Sequence, residues 1–136
     1  MLDSSALIEY LTGTTLGEIV REYFGSMEVG ETAYVCHLTV AETFYVLCRL
    51  EGIDAAKQKI SQLISSNMIQ PIDSINLTIE TGTVKCGRAI SLPDCGCIAA
   101  AKETGSRPVF ASKEADLTRE MKRKPFDVTP IFLEDM

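Results

Sequence analysis

Apolar positions in this chain alternate between short continuous runs and helix-spaced stripes, each bounded by a capping or breaking residue. Leu2-Asp3 ends a very short first strand; Ser4 or Ser5 caps a helix from Ala6 to Leu11, and Thr15 caps another from Leu16 to Phe24. After breaks at Gly25 and Gly30, Thr32-Ala-Tyr-Val-Cys36 reads as a buried strand, followed by a helix from about Val40 to Leu50 that Gly52 ends. The pattern then predicts a helix from Asp54 to Asn67, a strand over Ile69–Asp73 with a proline near its edge, and a helix capped by Asn76 that reaches Ala89. Pro93 opens a helix that Gly105 closes. Pro108–Ala111 is strand-like, Glu114–Lys122 is a short helix, and Val128–Leu133 supplies the last strand.

The strands are too continuously apolar to have one wet face, and they alternate with helices. The pattern therefore predicts an α/β fold, a three-layer α/β/α sandwich with a short central parallel sheet. At 136 residues, 46% of them hydrophobic, the chain fits a single domain spanning 1–136 and is too short for two. No repeat, low-complexity tract or linker interrupts it. In such sheets ligands sit beyond the carboxyl ends of the strands. Residues that follow a strand are thus the first candidates for chemistry.

Charge narrows the function. Lys and Arg total 13 against 19 Asp and Glu, a net charge of −6, which excludes a protein that grips nucleic acid by bulk positive charge; any such contact must be local. No apolar run approaches a membrane span, and an acid stands at position 3 where a signal peptide carries positive charge, so a soluble cytoplasmic protein without a membrane partner is expected. The five cysteines, Cys36, Cys48, Cys86, Cys95 and Cys97, are odd in number and lie mostly in apolar patterns, where free Cys acts as a small hydrophobe. Cys95-Gly-Cys97 and a lone His37 do not fit zinc-ligand spacings. Cys36 and His37, as sequence neighbours, point apart and make no catalytic pair.

Three acids, Asp3, Glu42 and Asp94, each open a helix-like segment, and with Glu114 or Asp116 they supply the parts of a divalent-metal site. Two carboxylates 4 Å apart repel by about 4 kcal/mol at an effective dielectric near 20, so a fold that gathers them needs a cation. Each acid also has a local explanation: Thr39-x-x-Glu42 and Ser91-x-x-Asp94 have the form of capping boxes, and Asp3 can itself cap a helix. Yet Cys97, Ile98 and Ala101 follow Asp94 on a packing surface, and Tyr45, Val46 and Arg49 share a face with Glu42. A half-buried acid wants a partner, and few basic residues stand nearby in sequence.

Leu2-Asp-Ser-Ser-Ala-Leu-Ile8, Leu38-Thr-Val-Ala-Glu-Thr-Phe-Tyr-Val-Leu47, Ile90-Ser-Leu-Pro-Asp-Cys-Gly-Cys-Ile-Ala-Ala-Ala101 and Val109-Phe-Ala-Ser-Lys-Glu-Ala-Asp116 resemble, in order, the four acidic motifs of PIN domains, and most of all those of the toxin ribonucleases of VapBC toxin–antitoxin pairs. The resemblance spans essentially the whole chain. It implies an endoribonuclease that holds Mg²⁺ or Mn²⁺ on Asp3, Glu42, Asp94 and a fourth acid and directs water at a phosphodiester of single-stranded RNA. Ser112 would support a carboxylate or a metal-bound water, and Ser4 would either support the site or only cap. The family's fourth motif commonly reads Thr-x-Asp-x-Asp-Phe; here Ser112-Lys-Glu-Ala-Asp-Leu117 leaves Glu114 and Asp116 both eligible, with Asp116 favoured. The first motif begins almost at Met1, which implies either a start further upstream or an unusually short central strand. Similarity to the toxins also implies a homodimer and an antitoxin whose tail blocks the site, through an arginine entering the carboxylate pocket.

Arg49, Lys85, Arg88 and Lys113 are the basic residues placed to form a rim around such a pit, although surface Lys and Arg are ordinarily just solvated. Two other functions compete. A degenerate member of the same fold could act as a binding or scaffold module, given Glu114 in the fourth motif, the short start and the acidic balance. A phosphoacceptor receiver would use Asp73, which ends a strand, but it would leave Glu42 and Asp94 without a role.

Overall fold

Residues 1–3 form the seam of the sheet in the computed structural model, which describes Met1–Met136. Leu2 bridges Val109 in the parallel sense, and its N–H donates to the Tyr34 carbonyl at 2.9 Å. On one side β1 (Ala33–Cys36) pairs in parallel with β2 (Ile69–Ile72), Ala33 opposite Ile69 and Cys36 opposite Ile72. On the other side β3 (Val109–Phe110) pairs in parallel with β4 (Ile131–Phe132). The lateral order is therefore β2, β1, residues 1–3, β3, β4.

Consecutive residues of these strands enter different cores, as the period of two requires. Met1, Cys36, Phe110 and Phe132 pack into a cluster with Leu77, Ile98 and Leu117, whereas Leu2, Val35, Ala111 and Leu133 pack into another with Leu7, Val20 and Leu63. Helices α5 (Ile75–Gly87), α6 (Leu92–Thr104) and α7 (Ala115–Arg123) supply the first cluster; α1 (Ser4–Thr12), α2 (Thr15–Ser26) and α4 (Ile53–Ser65) supply the second. Helix α3 (His37–Glu51) packs on both α1 and α6 and spans the two sides. This is the three-layer arrangement that the pattern predicts. None of the helices is long and apolar enough to cross a membrane.

Helix starts differ from the expected ones by a few residues. Asp3, Thr14 and Ser74 are the caps of α1, α2 and α5, in place of Ser4 or Ser5, Thr15 and Asn76. Helix α3 begins at His37 directly after β1, with Cys36 as a cap that offers no side-chain bond. Thr39 thus lies inside the helix, and the Thr39–Glu42 capping box does not form. The last two strands are only two residues long, shorter than the runs Pro108–Ala111 and Val128–Leu133 predict.

One close approach fixes the packing of α1 on α2. A Cβ at Gly17 would lie 2.1 Å from the Glu9 carbonyl oxygen and 2.9 Å from the Tyr10 Cα, both backbone atoms that cannot swing aside. Gly17→Ala should therefore force the helices apart and cost about 2–3 kcal/mol, in the upper part of the overpacking range. Urea unfolding checks this, with a lowered midpoint expected.

Candidate active site

Asp3 leaves the sheet seam and immediately caps α1, and the cap accounts for only one of its two oxygens. Oδ2 accepts the Ser5 N–H at 2.9 Å and the Ser5 hydroxyl at 2.7 Å. Oδ1 is buried with no hydrogen-bond partner, in a residue only 2% exposed. An orphaned carboxylate oxygen of this kind is costly and calls for an explanation. Ser5 also accepts the Ala111 N–H through its hydroxyl at 3.0 Å, which ties the end of β3 to the acid.

Glu42 lies on the second turn of α3, where the Ser4 hydroxyl donates to its Oε1. Asp94 lies in the first turn of α6, and the Ser91 hydroxyl accepts its N–H at 3.2 Å. The approach of α6 depends on Gly96: a Cβ there would meet Cys36 Sγ at 3.0 Å and Leu38 Cδ1 at 3.2 Å, so a side chain would push the helix away from the β1–α3 junction. The start of α6, and Asp94 with it, is thereby held at the edge where Asp3 emerges.

The electrostatics show that the acids are neighbours. Burial, and then the charge of Glu42, push the Asp3 carboxyl up to about 6 against the stabilising bonds from Ser5. Burial and the charges of Asp3, Glu114 and Glu42 push Asp94 up to about 7. Asp3, Glu42 and Asp94 thus repel one another in pairs, and Glu114 repels Asp94. Asp116 is not among the charges acting most strongly on Asp94, and its Oδ1 accepts the Leu117 N–H at 2.8 Å. Glu114 is the cap residue of α7 and Asp116 lies in the first turn of the same helix, so both stand at the helix start that follows β3. Ser112 is half-buried in the turn before it and accepts the Glu114 N–H through its carbonyl at 3.1 Å.

The donor set is hard oxygen and carries excess negative charge, which suits Mg²⁺ or Mn²⁺, and the orphaned Asp3 Oδ1 is a ligand atom without a partner. As the side chains stand, however, no three Asp, Glu, His or Cys groups converge on one ion position. The residues fit the ion chemically.

Of the expected basic rim, Arg49 on α3 makes no ion pair and lies 4.9 Å over the Tyr45 ring. Lys85 donates to the Ile90 carbonyl at 2.5 Å, and Lys113 pairs with Asp135 at 2.7 Å. Arg88 departs from the expectation: its side chain is only 11% exposed, and it donates to the carbonyls of Glu120 and Pro125 at 3.2 and 3.0 Å and to that of Lys124. It fastens the end of α5 to α7, because these carbonyls at a helix end need donors and a guanidinium supplies several. Sequence reasoning missed its partner Glu120, a buried acid that also accepts from Arg123 at 2.8 Å. The i, i+3 spacing of Glu120 and Arg123 was the available signal. Ser5 was read only as a cap, and nothing in sequence revealed its bond to residue 111. The cysteines are all free, and all but Cys48 and Cys86 are buried.

The profile of the PIN domain family matches residues 1–122, and the chain belongs to that family. None of the curated proteins matches it in sequence. Its fold is similar to that of several solved structures. One is from DNA-bound VapBC of Salmonella typhimurium, with a TM-score of 0.70 and 19% identity over 98% of this chain and 96% of that one. Another is from VapBC-1 of nontypeable Haemophilus influenzae, with 0.67 and 15% over 98% and 97%. A third is Mycobacterium tuberculosis VapC20, described as a sarcin–ricin loop cleaving toxin, with 0.65 and 15% over 87% and 92%. The chain is thus a PIN-domain protein with a VapC-like fold.

Raised carboxyl pKa values make the metal-free pit a liability that grows with pH. Below about pH 4 Asp94 is protonated whether folded or not. Between its ordinary 3.8 and about 7 the folded chain keeps a proton that the unfolded chain has lost, so stability falls across that window and the loss is complete above it. Asp94→Asn should therefore stabilise the metal-free protein at pH 7.5 by roughly 2 kcal/mol, after allowance for partial exposure, and by little at pH 4. Thermal unfolding of both proteins in chelator at the two pH values checks this. An Asp94→Asn variant no more stable than the parent at pH 7.5 would refute the cost of charging Asp94 in its buried, acidic surroundings.

Proposed function

We propose that this chain is a metal-dependent endoribonuclease that cleaves single-stranded RNA and is the toxin of a toxin–antitoxin pair. The observation that carries this reading is the buried Asp3 with an unpartnered oxygen, set among three other acids at the carboxyl edge of the sheet. A fold under no pressure to bind a cation would neutralise or solvate such a group. Membership of the PIN family supports nuclease chemistry, and the VapC-like fold supports the toxin assignment.

Asp3, Asp94 and Glu42 would hold Mg²⁺ or Mn²⁺, with Glu114 or Asp116 as the fourth acid. When bound, the ion supplies an activated water and offsets charge on a phosphodiester undergoing in-line displacement. The chain's own contribution is placement. Ser5 fixes one oxygen of Asp3 so that the other faces the pit, and Ser4 holds Glu42 against rotation. No side chain in the pit is placed as a nucleophile, which suits attack by water. A pit of unneutralised carboxylates is also a receptor for a cationic side chain, the chemistry by which an antitoxin tail would block it.

A second reading, a PIN-fold binding module without activity, is favoured by the lack of three converging ligands in the structure. Calorimetry separates the two: the nuclease reading expects Mn²⁺ binding that Asp3→Asn weakens, and the module reading expects none at millimolar concentration.

Asp94→Asn should lower Mn²⁺-dependent cleavage of single-stranded RNA by more than roughly 100-fold while the protein stays folded, since even outer-shell partners of a metal act on that scale. Ser4→Ala should lower it by roughly tenfold. Steady-state cleavage of a labelled oligoribonucleotide reads both, and full activity in Asp94→Asn would sink the proposal.

A further inference from the structure

Helix α3 carries a solvent-facing ridge that the acid pit does not account for. Ala41, Tyr45 and Arg49 recur at i, i+4 and i+8 and are all exposed, although the helix is otherwise packed against α1, α4 and α6. At the edge end of this ridge His37 is turned to Asp73, 3.5 Å away. At the other end the Arg49 guanidinium lies 4.9 Å over the centre of the Tyr45 ring, which is 43% exposed. Glu42 adjoins Ala41 on the flank of the same ridge. Arg49 lies seven residues beyond Glu42, about 10 Å along the axis and only about 20° around it.

We propose that this ridge is a docking track for single-stranded RNA, in which Tyr45 stacks a base beside the phosphate held at the acid pit and Arg49 holds a neighbouring phosphate. The inference rests on the nuclease reading above and adds to it the surface that positions the substrate. Three observations carry it. Arg49 is free of the hydrogen bonds and ion pairs that engage Lys85, Arg88 and Lys113, so its donors are available to an anion. Stacking on Tyr45 holds the guanidinium plane in place without a carboxylate that would compete with phosphate. Tyr45 follows Glu42 by three residues on α3, so its ring stands one helical turn from an acid of the site. An exposed aromatic with an adjacent cation is the pairing that grips unpaired nucleic acid, since every base has a face to stack and every linkage a charge. With a net charge of −6 the chain cannot attract RNA by its bulk field, so a local track is required.

Leu50 and Ile53 are also exposed close by in the chain, so a protein could occupy this ridge instead, and the test must separate the two. Fluorescence anisotropy with a labelled mixed-sequence single-stranded 12-mer RNA, in chelator so that no cleavage occurs, is measured for the full chain, Tyr45→Ala, Tyr45→Phe and Arg49→Ala. Tyr45→Ala and Arg49→Ala should each weaken binding about tenfold, and Tyr45→Phe should retain it. Arg49→Ala should also reduce the slope of log affinity against log salt by about one. With Mn²⁺ present, KM should rise in both alanine variants while kcat and Mn²⁺ affinity stay unchanged, a split that a merely structural role would not give. Unchanged RNA affinity and KM in both alanine variants, with wild-type cleavage intact, would overturn the track and leave the nuclease reading standing. The same unchanged affinity accompanied by a fall in sedimentation mass would overturn it in favour of a protein contact. A parent chain that neither binds nor cuts RNA would overturn both.

Discussion

The structure turns on an unfavourable arrangement, the burial of carboxyl groups beside one another at one edge of a small parallel sheet. Asp3 is held in the protein interior by the strand that precedes it and the helix that follows, so it has no route to water. Asp94 is brought up by a helix that can come close only because residue 96 has no side chain. Both acids rise toward neutrality as a result. The rest of the fold supplies the apolar burial that offsets this local cost, through two clusters that grip opposite faces of the same strands.

The layered fold was legible because its signals are local. Runs such as Tyr34-Val35-Cys36 announce a strand, although Tyr34 itself lies at the surface, and Gly52, Gly105 and the cap residues bound the helices within a few positions. The acids Asp3, Glu42 and Asp94 stood out for the same reason, each lying just after a strand or at a helix start. What sequence did not reveal depends on contacts between distant residues. The capping box at Thr39 has the right letters, but β1 runs straight into α3 and leaves no loop for the cap. Arg88 reads as a free cation in sequence and proves to be a clasp on the carbonyls at the end of α7. The choice between Glu114 and Asp116 turns on which side of a single helix start faces Asp94, and two residues of spacing cannot decide that in advance.

The hydroxyls deserve the same distinction between local and distant. Ser4 and Ser5 form an ordinary-looking pair after an acid, and either could have been only a cap. In the structure Ser4 reaches α3 and Ser5 reaches β3, so two adjacent small side chains orient two different acids and fasten two separate elements. Such polar ties specify geometry more than they add stability, because each donor gives up a bond to water. Asp3 is accordingly tied by two bonds from Ser5, whereas the Glu114 side chain makes no cap bond.

The seam strand has a consequence for biosynthesis. Residues 1–3 are synthesised more than a hundred residues before their partner at Val109, and β4 follows later still. Closing a contact across more than a hundred residues is slow, and here it cannot begin until β3 has emerged. The acids therefore stay apart on the growing polypeptide and meet only after the segments that carry Asp94 and Glu114 have followed the one that carries Asp3.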